Sequence, residues 1–125
     1  MEILILLLLL QIKHWYADFA IQTYAQTVHK GIYRDPIGIS HTIDHIYSSL
    51  IVLFAFSFLI HPLPAITIII VSFIEGILHY HIDWIKVKYG CKDNTKPLFW
   101  NQFGQDQLAH QVTYILMLWY LLLIN

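Results

Sequence analysis

Apolar residues along this chain gather into four long stretches, not into short alternating runs. The first covers residues 3–28 or thereabouts, the second 40–60, the third 65–88 and the fourth 102–124. Each is about 20 residues or more, enough to cross a ~30 Å hydrocarbon layer as a helix. Strands are disfavoured, because backbone facing lipid must be satisfied within its own segment or in a closed barrel. The punctuation agrees. His61-Pro62-Leu63-Pro64 makes a tight turn between stretches two and three, since proline cannot continue a helix interior. Gly31, Pro36 and Gly38 interrupt the chain between one and two, and the segment from Gly90 to Asn101 does so between three and four. The pattern predicts an all-α fold: one domain, an integral-membrane up-down-up-down four-helix bundle with antiparallel neighbours.

Composition supports that picture. Of 125 residues, 58% are apolar and 12% charged, against ~45–50% and ~25% in an ordinary soluble domain. With 5 Gly, 4 Pro and 1 Cys, the chain is neither collagen-like nor a disulfide scaffold. A formal net charge of −1 gives no field for nucleic acid. The N-terminal stretch lacks a basic leader and a small-x-small cleavage site, so it is expected to stay as a helix. Lys30 and Arg34 fall in the first connection, and Lys86, Lys88, Lys92 and Lys96 in or near the third. The positive-inside rule then places those connections in the cytoplasm and both termini outside.

Against this apolar background, ionisable residues inside the stretches stand out, at a cost of ~2.5–3.5 kcal/mol each on insertion scales. His14 and Asp18, His41 and His45, His79 and Asp83, and Asp106 and His110 are each four residues apart. That spacing puts both members of a pair on one face of a helix. Counting from the outer ends at ~1.5 Å per residue, all four pairs lie roughly 20–26 Å deep, in one layer near the cytoplasmic side. Imidazoles and carboxylates in one layer suit a divalent transition metal, Zn first with Mn or Fe as alternatives, as one ion or two. A thiolate site is excluded, since Cys91 stands alone. Three other readings compete: His–Asp pairs as interhelical glue, a proton or ion path, and haem ligation.

Around the eight candidate ligands lie other polar groups. Glu75, one turn outside His79, is expected to accept hydrogen bonds from the ligands or to act as a base. Asp44, beside His45, is a candidate ligand, orienter or general base. Gln22, Gln107 and Lys86 are candidate contacts to a bound group. Lys86 could neutralise a phosphate at the headgroup level, although snorkelling is the commoner role for such a lysine, and the same holds for Lys13. His81 faces away from His79 and is not expected to ligate; His29 and His61 are expected to be solvated in turns. No Gly-rich phosphate loop, G-x-S-x-G, H-E-x-x-H or C-x-x-C is present.

The run from His14 to Thr23, the pair His41 and His45, the segment from His79 to Lys86 and the segment from Asp106 to His110 together resemble a small membrane-protein family catalogued as domain of unknown function 3307. That family occurs in bacteria and their phages and has no established activity. The resemblance implies a bacterial inner-membrane location. In motif style the chain also resembles membrane-bound metal-dependent hydrolases. The leading expectation is therefore a hydrolase acting on a lipid or lipid-linked phosphoester at the cytoplasmic interface, with membrane lipid and an amphiphilic substrate as partners and a homo-oligomer as one form. A metal-ion or proton transporter and a structural subunit are the alternatives.

Overall fold

The computed structural model describes residues 1–124. It is helical, with no strand among the described residues. The elements are α1 (Glu2–Trp15), extended by a π-helical stretch (Tyr16–Ala20), α2 (Tyr24–His29), α3 (Pro36–Leu59), α4 (Ala65–Tyr89) and α5 (Pro97–Ile124). Four segments are long and apolar enough to cross a membrane: Glu2–Ala20, α3, α4 and α5. They form a ring in which α1 packs on α3, α3 on α4, α4 on α5 and α5 on α1. Short turns at residues 60–64 and 90–96 make α3, α4 and α5 successive antiparallel neighbours.

The first stretch departs from the expected single helix over 3–28. It ends at Ala20, and a separate short helix follows. The cause is local hydrogen bonding. Thr23 caps α2 in a reciprocal box: its hydroxyl accepts from the Gln26 amide at 3.2 Å, and the Gln26 side-chain oxygen accepts from the Thr23 amide at 2.8 Å. Such a box starts a helix and so ends the one before it. α3 also begins earlier than expected. Pro36 occupies its first turn, and Asp35 accepts from the amides of Ile37 and Gly38 at 2.9 and 3.2 Å. At Gly38, α3 passes so close to α2 that a Cβ would lie 2.8 Å from the His29 carbonyl oxygen.

The distribution of side chains inverts that of a soluble protein. Leu4, Leu8, Ile51, Phe58 and Ile66 are exposed, whereas Lys13, Asp18, Glu75, Asp83 and five histidines are buried. One end of the bundle is filled by Leu6, Leu10, Leu53, Phe56, Ile68, Met117 and Leu121. That end is closed by Glu2 against His61 at 3.1 Å and by the Ser57 hydroxyl accepting from the Leu63 amide at 2.9 Å. The polar residues occupy the other half.

Candidate metal centre

A helix places every fourth residue on one stripe, and each long segment turns such a stripe inward. α3 offers His41 and His45, α4 His79 and Asp83, and α5 Asp106 and His110. His14 closes α1, and Asp18 sits in the π-helical stretch that follows. A π turn widens the helix locally and recurs at functional sites. All eight side chains are buried and lie together at one level.

Their potential ligand atoms form three overlapping groups: His14, Asp18, His45 and His79; Asp18, His41, His79 and Asp83; and Asp83, Asp106 and His110. Within each group these atoms lie within 4.8 Å of one another. These buried His and Asp groups could hold a metal ion. The second group has the tightest geometry. His41 Nε2 lies 3.0 Å from Asp18 Oδ1, 3.3 Å from His79 Nε2 and 3.4 Å from Asp83 Oδ2. His79 Nε2 lies 3.5 Å from Asp18 Oδ1 and 3.2 Å from Asp83 Oδ2. Ligand bonds of about 2.0–2.1 Å in a tetrahedral site place neighbouring ligand atoms about 3.3 Å apart. Five edges of this group match that spacing.

Hydrogen bonding separates ligand from support. Lys13 Nζ donates to His45 Nδ1 at 3.1 Å, and an ammonium has only donors. His45 therefore carries its proton on Nε2, which donates to Asp18 Oδ1 at 2.9 Å. His45 orients Asp18 from outside the four-atom group. Lys13 also donates to Glu75 Oε1 at 3.0 Å and to the Tyr114 hydroxyl at 3.3 Å. Tyr114 donates to Glu75 Oε1 at 3.1 Å, and Ser49 donates to Glu75 Oε2 at 2.9 Å. Glu75 is thus an acceptor held by three donors. Lys13, expected to snorkel, is instead buried, because the Glu75 carboxylate and His45 draw its ammonium inward.

The remaining candidates take distinct places. Lys30, assigned from sequence to a cytoplasmic connection, is buried with its Nζ 3.1 Å from Asp83 Oδ2. The Gln22 amide lies 2.8 Å from His41 Nε2, and Gln107 Oε1 lies 3.2 Å from His14 Nε2. Asp44 stands outside the three groups, and its Oδ2 accepts from Gln26 Nε2 at 2.8 Å. Lys86 Nζ is 4.0 Å from Asp106 Oδ2 and 5.1 Å from the Phe103 ring centroid. His81 is exposed and bonds the Ile77 carbonyl at 2.8 Å. His29 and His61 are partly exposed, each beside a carboxylate.

Asp106 Oδ1 and His110 Nε2 are buried without a hydrogen-bond partner and stand 3.7 Å apart. Asp106 also lines a 310 Å³ groove between α4 and α5, together with Lys86, Gln102 and Ala109. The centre therefore has one edge that reaches the surface.

Lys13, Lys30, Ser49 and Tyr114 were not picked out as members of the site. Two of them carried a readable signal. Ser49 follows His45 by four residues, and Tyr114 follows His110 by four, so the stripes extended one turn outward would have reached both.

No curated protein matches the chain, and no solved structure does. A family model described as protein of unknown function (DUF3307) matches residues 3–125. The chain belongs to that family, and the match takes in all but its first two residues.

Proposed function

We propose that this is a bacterial inner-membrane metal-dependent hydrolase whose centre lies near the cytoplasmic face and acts on a lipid (phospho)ester. The observation that carries the reading is the Asp18–His41–His79–Asp83 group, two imidazoles and two carboxylates from three segments at metal-ligand spacing. Zn suits this donor set best, with Mn or Fe as alternatives. When bound, such an ion polarises the scissile group and acidifies a water.

The chain's own residues do the rest. His45 and Lys30 hold Asp18 and Asp83 in place. Glu75 is fully engaged by Lys13, Tyr114 and Ser49, and Asp44 by Gln26. The role of proton acceptor therefore passes to Asp106, a residue that lines the groove and whose buried Oδ1 accepts no hydrogen bond. Asp106 hands that proton to His110 Nε2, 3.7 Å from its Oδ1, and His110 delivers it to the leaving group. Transport is disfavoured by the apolar plug of Leu6, Leu10, Leu53, Phe56, Ile68 and Met117, which fills the other half of the bundle.

The test is metal analysis of the full chain purified without chelator, together with phospholipase and phosphatase assays on mixed micelles. The wild type is expected to carry about one divalent ion per chain, and Asp83→Ala and His79→Ala to lose at least ~90% of it. Asp106→Asn is expected to keep that ion and lose turnover by ~100-fold or more. A content of two ions would assign Asp83, Asp106 and His110 to the second. Metal-free wild type sinks the proposal.

A further inference from the structure

The α4–α5 seam carries a second depression beyond the groove at Lys86. It has a volume of 280 Å³ and is lined by Ile74, Glu75, Leu78, Thr113, Leu116 and Tyr120, among others. The first groove ends at Ile82 and Ala109. Leu78 precedes Ile82 by one helical turn, and Thr113 follows Ala109 by one, so the two depressions follow one another along the seam. From Ile70 to Tyr89 it runs roughly 28 Å along the helices. That is long enough for a glycerophosphate head and an extended acyl chain. The small Ala109 lies where the two parts meet.

The two ends differ in chemistry. At the far end, beyond Glu75 and Thr113, the walls are apolar and aromatic. At the near end is Lys86, the least committed of the three lysines that flank the centre. Lys13 and Lys30 lie 3.0 and 3.1 Å from their carboxylates, with side chains 1% and 9% exposed. Lys86 is 4.0 Å from Asp106 and 26% exposed. It also borders a 450 Å³ cavity that it shares with Lys92 and Gly90. Between head and tail, the unpartnered Asp106 Oδ1, on a side chain only 4% exposed, lies at the wall. An anionic head complements the Lys86 ammonium, whereas a zwitterionic head brings a second cation beside it.

We infer that the α4–α5 furrow is the seat of one anionic glycerophospholipid, its phosphate at Lys86 and one acyl chain along Leu78 and Leu116. This rests on the membrane hydrolase reading for what then happens to the lipid, and it names that reaction's substrate class. The ester region of such a lipid comes to rest beside Asp106 and His110.

The test is native mass spectrometry of the full chain equilibrated in detergent with dioleoyl phosphatidylglycerol or dioleoyl phosphatidylcholine, with metal measured on the same samples. One phosphatidylglycerol per chain is expected to survive, bound at least ~5-fold more tightly than phosphatidylcholine. Lys86→Gln should remove most of that preference. Ala109→Phe, which fills the junction, should abolish the adduct, as should Leu116→Trp if the first variant fails to fold. Ile51→Phe, on exposed α3 surface away from the seam, should leave it unchanged. Equal binding of the two lipids, adducts that persist in both seam variants, or a lipid-free dimer that covers the seam would each overturn the inference. Lipid bound to metal-free protein would sink the hydrolase reading and leave the lipid seat standing. Metal without lipid would do the reverse.

Discussion

The two halves of this bundle use the same four helices and the same inward stripes, yet they are held together differently. On α3 the stripe reads His41, His45 and Ser49, then Leu53 and Phe56. On α5 it reads Asp106, His110 and Tyr114, then Met117 and Leu121. In the half away from the centre (the outer half), the buried side chains are apolar and touch others of their kind, with Ser72 as the polar exception beside Val71. In the inner half, buried charges pair in one network through Asp18, Glu75 and Asp83, with Asp106 Oδ1 at its margin accepting no hydrogen bond. Removing a group from the outer half leaves a void. Removing one from the inner half leaves an uncompensated charge, which is costlier in a low dielectric.

The largest expected effect comes from breaking that network at its most enclosed point. Lys13→Met strands the Glu75 carboxylate and should cost about 3–5 kcal/mol, measured by unfolding in detergent. Adding Glu75→Gln should recover a good part of the loss, because the stranded charge is then gone. If Lys13→Met costs no more than an apolar truncation in the outer half, the two halves do not differ in kind.

That outer-half truncation is the second prediction. Leu53 is fully buried. Leu53→Ala costs 2–5 kcal/mol in a soluble core. Here about 2 kcal/mol is expected, because lipid tails are as apolar as leucine and the lost term is packing alone. Metal content should not change. A Leu53→Ala protein that loses its metal would show that the halves are coupled, not merely stacked.

The same contrast explains what could be read in advance. The four long helices were legible because twenty apolar residues in a row admit few other structures. The eight clustered side chains were legible because the i, i+4 step marks a face wherever the helix is regular. Where regularity fails, so did the reading. The first helix was expected to reach Val28, but the π stretch around Asp18 and the Thr23–Gln26 box end it at Ala20. Lysine partners were hidden for another reason. A lysine side chain is long and flexible enough to point out or in, and only the position of Glu75 and Asp83 across the bundle settles which. Long-range pairing of that kind has no local signature.

The connection around α2 belongs to neither half, and it carries Lys30 to Asp83. Its support is local, so its failure should be local. Thr23→Ala removes one arm of the capping box and should cost about 1 kcal/mol. Hydrogen exchange should quicken at Gln26 and Thr27 and stay slow in α4. Global loss of protection would place α2 inside the cooperative unit of the centre.

The smallest effect should come from pH at the other end of the same connection. Asp35 caps α3, and its Oδ1 lies 3.0 Å from His29 Nδ1 and accepts from the Gly38 and Ile37 amides. The contact with His29, with the two backbone donors adding to it, holds this carboxyl below its ordinary range. A depressed folded value means that the group stabilises the fold above its unfolded pKa of about 3.9, and that this contribution fades as pH falls further, through the folded value. Protection of the Gly38 amide should therefore be flat from neutral pH down to about 4 and decline below it. Asp35→Asn keeps a capping acceptor but has no proton to gain, so its protection should not fall in that window. The close passage of α3 over His29 at Gly38 gives the result its meaning. If wild-type protection stayed flat below pH ~4, or fell equally in Asp35→Asn, the Asp35 carboxylate would not be what holds the register between α2 and α3, and the backbone packing at Gly38 would maintain it alone.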